Sequence, residues 1–234
     1  MNQQPYYSQT QTLARTNSFL RSVYNWMAIG LGLTGLTAYY TAHNETLRNI
    51  IYGTPGLTLV LFLVLIGFVF FLSARIQKIK ASTATALFSI YAVLNGVVFS
   101  FIFMVYTSSS IVSTFMICSA TFLGCSIYGM VTKKDLTSLG SFMFMGLIGI
   151  IIASVVNIFI QSSAMQMIIS YIGVIVFVGL TAYDTQKLKN MSLTMPADAT
   201  GSMVRKGAIM GALTLYLDFI NLFIMLLHIF GARE

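Results

Sequence analysis

"LYLDFINLFIMLL" occupies residues 215–227, and one residue in it decides how the chain is read. Every side chain in the run is apolar, aromatic or an amide except that of Asp218. Such a run suits the interior of a bilayer, and a carboxylate inside it demands an explanation. The rest of the chain has the same character. Of 234 residues, 57% are hydrophobic and 8% charged, against about 25% charged in an average soluble domain. So little charge cannot cover a water-facing surface, and lipid is the expected solvent for most of the protein.

A hydrocarbon core of about 30 Å takes about 20 residues of helix. Seven apolar runs of that order follow one another, near 23–42, 57–74, 84–106, 111–131, 142–160, 167–184 and 208–230. Membrane strands would be about half as long and would alternate in polarity. The expected fold is therefore all-α and integral to the membrane, with seven transmembrane helices. Residues 1–20 are polar and read as a flexible tail, leaving 21–234 as a single transmembrane domain. The first apolar run is too long for the core of a signal peptide. The longest connection, "KNMSLTMPADATGSMVRKG", contains Pro196 and Gly201 and reads as flexible. Two small-residue pairs, Gly207 with Gly211 and Gly149 with Ala153, are candidate helix contacts.

The net charge is +7, but the basic residues lie in short gaps between apolar runs. No basic domain is available to a duplex, so nucleic acid is not an expected partner. Numbering the loops from the N-terminus, one side holds Arg15, Arg21, Arg75, Lys78, Lys80, Lys133, Lys134, Lys187, Lys189, Arg205 and Lys206. The other keeps only Arg48 and Arg233. The positive-inside rule then places the N-terminus in the cytoplasm and the C-terminus outside.

Catalytic and metal motifs are not found in the sequence. Cys118 and Cys125 are seven residues apart within one apolar run and suit neither a disulfide nor a metal. His43 and His228 have no second ligand at a useful spacing beyond the weak His43–Glu45 pair. There is no phosphate-binding or dinucleotide fingerprint. No enzyme and no resident cofactor are expected. Asn95 and Asn157 read as structural bonds between helices.

The six acids sort by place. Glu45, Asp135, Asp198 and Glu234 fall in loops or tails, leaving Asp184 in "GLTAYDTQKL" and Asp218. Asp218 lies about 15 Å along its helix, near the midplane, where a charge costs at least about 2.5–3.5 kcal/mol. Measured from the outer ends of their spans, the two acids are offset by about 7 Å, which helix tilt can close. Two carboxylates in one site cannot both ionise freely and titrate as a unit. Fully ionised, they offer at most four of the six to eight oxygens that Ca²⁺ takes, which suits transient occupancy. Thr214 and Asn221 share the face of Asp218, and Thr181 and Lys187 flank Asp184. For Asp184 the plainer alternative is an interfacial carboxylate in water beside Lys187. For Asp218 it is a protonated side chain bonded to a neighbouring helix. The cluster Arg75, Lys78 and Lys80 reads as a headgroup anchor, or as the source of a partner for Asp184.

"FVGLTAYDTQKLK" followed by "LTLYLDFINLFIMLLHIFG" resembles the closing segments of the transmembrane Bax inhibitor motif family, its bacterial branch in particular. The likeness extends over all seven spans. It implies a fold whose last span is central and surrounded by the other six. It implies a pH-sensitive leak for Ca²⁺ in a bacterial inner membrane, with Asp184 and Asp218 as sensor and ion-binding pair. It further implies an arginine latch at the end of the second span, where this chain offers Arg75, Lys78 and Lys80. Some relatives act through protein contacts. Two alternatives stand beside the leak: a regulator that binds another membrane protein such as a protease, and a proton-coupled transporter of a small solute.

Overall fold

The computed structural model describes residues 9–196 and 198–233. Among them the chain forms nine helical segments: α1 (Gln9–His43), α2 (Glu45–Gly53), α3 (Leu57–Arg75), α4 (Ala81–Phe99), α5 (Ile102–Val105), α6 (Ser108–Val131), α7 (Thr137–Ile160), α8 (Ser163–Leu193) and α9 (Gly201–Phe230). Six stretches are long and apolar enough to cross a membrane: α3, α4 with α5, α6, α7, α8 and α9. The first expected span lies within α1, which is not among the six. Thr34, Thr37 and the run Tyr39–Tyr40–Thr41 dilute its apolar character.

Two expectations are corrected by helix length. α1 begins at Gln9, so residues 9–20 of the expected flexible tail are helical, while 1–8 lie outside the described residues. Burial of Thr16, Phe19 and Leu20 carries the helix upstream of the apolar run. α8 likewise runs to Leu193 and α9 starts at Gly201, which shortens the long connection to 194–200.

The helices group into two compact units. One contains Met1–Met104 and Asn190–Leu213, the other Val105–Lys189 and Thr214–Glu234.

In the first unit α1 packs on α4. Thr34 Oγ1 donates to Ala92 O at 2.9 Å, and Gly96 makes the crossing possible, since a Cβ there would lie 2.5 Å from Thr34 O. Asn95 does not bridge helices as expected; its Nδ2 donates to Tyr91 O on its own helix at 3.1 Å. Asn44 caps α2 by accepting from Leu47 N. α4 stops at Ser100 and resumes as α5, a break within one span that was not anticipated. Tyr52 OH lies 2.8 Å from Ser100 Oγ and donates to Val98 O, so a hydroxyl meets backbone that the break frees. At the opposite end Arg15 Nη2 donates to Pro196 O, Arg205 Nε to Thr85 Oγ1, and Lys206 Nζ to Gln77 O.

In the second unit α6, α7, α8 and α9 pack through a few close approaches. A Cβ at Gly129 on α6 would collide with the backbone carbonyl of Ala182 on α8. Phe219 of α9 sits between Phe115 and Phe122 of α6, with ring centroids 5.5 and 5.4 Å away. Gly149, a candidate contact, faces open space instead. Between α6 and α7, exposed Asp135 accepts from Thr137 N and Thr137 Oγ1 at 2.9 and 2.6 Å, and these bonds hold its carboxyl below the usual range.

Candidate functional site

Asp184, Thr185 and Gln186 are consecutive, polar and all buried. Consecutive helical residues point about 100° apart, so each meets a different neighbour within the second unit. Asp184 faces α9, where its carboxyl lies close enough to that of Asp218 for the two to interact. Thr185 Oγ1 donates to Ser126 Oγ of α6 at 3.5 Å. Gln186 holds the connection between α6 and α7: its Nε2 donates to Lys134 O at 2.8 Å, and its Oε1 accepts from Leu136 N at 2.9 Å. Lys189 Nζ adds a bond to Met130 O at 2.6 Å. The segment carrying Asp184 is thus tied on three sides, and the Gly129–Ala182 approach lies two residues before it.

The acid pair is the site's chemical centre. Two carboxyls this close cannot both ionise freely. Asp218 is 5% exposed, and its Oδ2 is buried and meets no N–H or hydroxyl donor among the described residues. A buried polar atom left unsatisfied costs about 1–3 kcal/mol. The structure therefore brings together the two acids that the sequence placed on different spans. The charge of Lys187, exposed three residues beyond Asp184, acts on that carboxyl, and its Nζ lies 5.8 Å from the Tyr183 ring.

The polar residues expected to support the pair are placed as follows. Thr181 Oγ1 donates to Phe177 O at 2.7 Å, and Asn221 Nδ2 to Leu217 O at 2.8 Å, each on its own helix. Thr214 is half-buried one turn before Asp218. Arg75 ends α3, and Lys78 and Lys80 follow it; all three belong to the first unit, whereas the acids belong to the second.

Gln186 and Ser126 were missed as site residues. The available signal was the unbroken polar triplet after Ala182–Tyr183 in an otherwise apolar helix. Among the described residues no cluster of three or more His, Cys, Asp or Glu side chains is found. The pair's own oxygens suit a hard cation such as Ca²⁺ but need water or carbonyls to complete its shell.

A family model described as "Inhibitor of apoptosis-promoting Bax1" matches residues 16–234. The chain is 47% identical to "Inner membrane protein YbhL" of Escherichia coli K12 over 224 residues, covering 96% of this chain and 95% of that protein. It is 45% identical to an uncharacterized protein of Borreliella burgdorferi over 224 residues, with 96% of each covered. It is 37% identical to an uncharacterized membrane protein of Streptococcus pyogenes serotype M3, covering 96% of this chain and 97% of that one.

Proposed function

The chain belongs to the Bax inhibitor-like family of integral membrane proteins, and we propose that it is a pH-sensitive passive leak for Ca²⁺ governed by Asp184 and Asp218. One observation carries the reading. Two acids meet inside apolar helices, and one of their oxygens has no donor. With one proton aboard, the pair closes on itself through a carboxyl–carboxyl hydrogen bond. With none, it presents up to four anionic oxygens at a depth where a lone charge costs several kcal/mol. Proton and Ca²⁺ therefore compete for the same oxygens, and occupancy by the cation depends on pH. Water and backbone carbonyls supply the remaining ligands, which favours brief occupancy over storage.

The proposed setting is a bacterial inner membrane with the N-terminus in the cytoplasm. The lopsided distribution of Lys and Arg supports the orientation, and the printed name of the E. coli relative supports the membrane. Seven spans complete the picture, α1 joining the six apolar ones and α9 lying at the centre. Near-total burial of Leu213, Leu215, Tyr216 and Leu222 supports that place for α9.

The test is Ca²⁺ entry into proteoliposomes across about pH 5 to 8, because two carboxyls in one site titrate as a unit. The unmodified protein should show flux that varies with pH. Asp218→Asn, which cannot ionise, should carry little Ca²⁺ at any pH. Equal and pH-independent flux from both would remove the reading.

A further inference from the structure

The far end of the α8–α9 pair in the second unit holds a polar network remote from the acids. Asn157 of α7, Gln166 and Ser170 of α8 and His228 of α9 form a chain of side chains. Its polarity is set by a backbone group. Ser162 N–H, which can only donate, reaches Asn157 Oδ1 at 3.0 Å. Asn157 must then present Nδ2 to its other neighbour, and it donates to Gln166 Oε1 at 3.3 Å. Gln166 is left with Nε2, which lies 3.2 Å from His228 Nδ1. An amide nitrogen is a donor only, so Nδ1 accepts and the imidazole is neutral with its proton on Nε2. Ser170 Oγ, which donates to Gln166 O at 2.8 Å, lies 3.5 Å from the same Nδ1.

A proton on Nδ1 would turn this contact into two donors face to face. α7 and α8 answer with no carboxylate at this end; they present amides and a hydroxyl. The charge that acts on the ring is that of Arg233, just beyond α9. Arg233 is itself held 5.9 Å over the Tyr106 ring, and two bonds keep it nearby: Thr107 N donates to Ala232 O, and Ala232 N donates to Ser110 Oγ. A charged imidazole would thus lose its partner and meet a second cation. Imidazole is also the side chain whose ordinary titration falls between about pH 5 and 8.

We propose that His228 is a proton-binding site at this end of the α8–α9 pair, and that its protonation breaks the Gln166 link and loosens the pairing that holds Asp184 beside Asp218. The consequence for flux rests on the Ca²⁺ leak reading; the proton site itself does not. The protein has two histidines, so full-length His43→Gln protein in lipid bilayers, labelled with ¹⁵N-histidine, reports His228 alone. At about pH 8 its Nδ1 should be unprotonated and the Gln166–His228 nitrogen contact detectable. Towards about pH 5 the ring should become doubly protonated and the contact should vanish. In Gln166→Leu the tautomer preference at the higher pH should be lost. A ring carrying Nδ1–H at the higher pH, one still neutral at the lower, or a contact that survives protonation would each overturn the proposal. Ca²⁺ flux is read in parallel on the unmodified protein and His228→Gln, and the variant should lose part of the pH response. If the ring behaves as described while flux of the unmodified protein ignores pH, the leak reading fails and the proton site stands.

Discussion

The two ends of the α8–α9 pair solve the same problem in opposite ways. Both place polar side chains among apolar helices. At the histidine end donor meets acceptor at each link, in a relay that starts from the Ser162 amide and finishes on a ring nitrogen. At the acid end no such relay forms, because two carboxyls meet there and Asp218 Oδ2 finds no donor among the described residues. A finished network holds helices together until something titrates it. On the proposed leak reading, an unfinished one is open to a proton or a cation. Between these ends Met225 lies against Gly173, so an apolar contact separates the two polar sites.

The largest expected effect comes from removing the unfinished end. Asp184→Asn with Asp218→Asn should abolish Ca²⁺ entry into proteoliposomes and leave a flat pH profile. It should also leave the helices folded, because two amides can bond to each other where two carboxylates cannot. If flux survives in the double variant, the contrast between the ends has no functional meaning.

The next effect is steric. In Gly129→Val the new side chain would enter the backbone of Ala182, which cannot move without dragging Asp184. Overpacking of this kind costs about 3 kcal/mol, read as a lower midpoint of thermal unfolding in detergent. Gln186→Leu is milder. It strands Leu136 N–H and Lys134 C=O at a cost of about 2 kcal/mol. Faster amide exchange at Leu136, with the histidine end unchanged, would locate the loss at the acid end. The smallest effect is expected from Gly173→Ala. Its Cβ would first meet Met225 Cγ and Sδ, both at 2.8 Å, and a flexible thioether can step aside. A loss below about 1 kcal/mol is expected from that substitution. A penalty as large as that of Gly129→Val would show the apolar contact between the ends to be as rigid as the acid end.

How much of this was legible beforehand depends on the kind of signal. Asp184 and Asp218 stood out because a charge inside an apolar run is rare and costly. Gln186 did not, because an amide near a membrane boundary carries no such penalty and its partners are backbone groups of residues about fifty positions away. His228 read as an isolated residue at a span end. Its role comes from Asn157 and Gln166, which belong to other helices. Asn95 and Asn157 looked alike in sequence, yet one bonds its own helix and the other bridges two. The N-terminal segment misled through its polarity: residues 13–20 look solvent-bound, but Thr16, Phe19 and Leu20 are buried, so packing extends the helix.

By itself the amino-acid sequence determined that this protein lives in lipid, that it is built of helices, and that two acids are misplaced by any ordinary standard. Those conclusions follow from local properties: hydropathy over about 20 residues and the cost of a single charge. Only the tertiary structure decided that the two acids touch, that Gln186 grips a neighbouring loop and that His228 accepts rather than donates. Each of those depends on which helix lies beside which. A bond between residues far apart in the chain exists only once packing has brought the helices together.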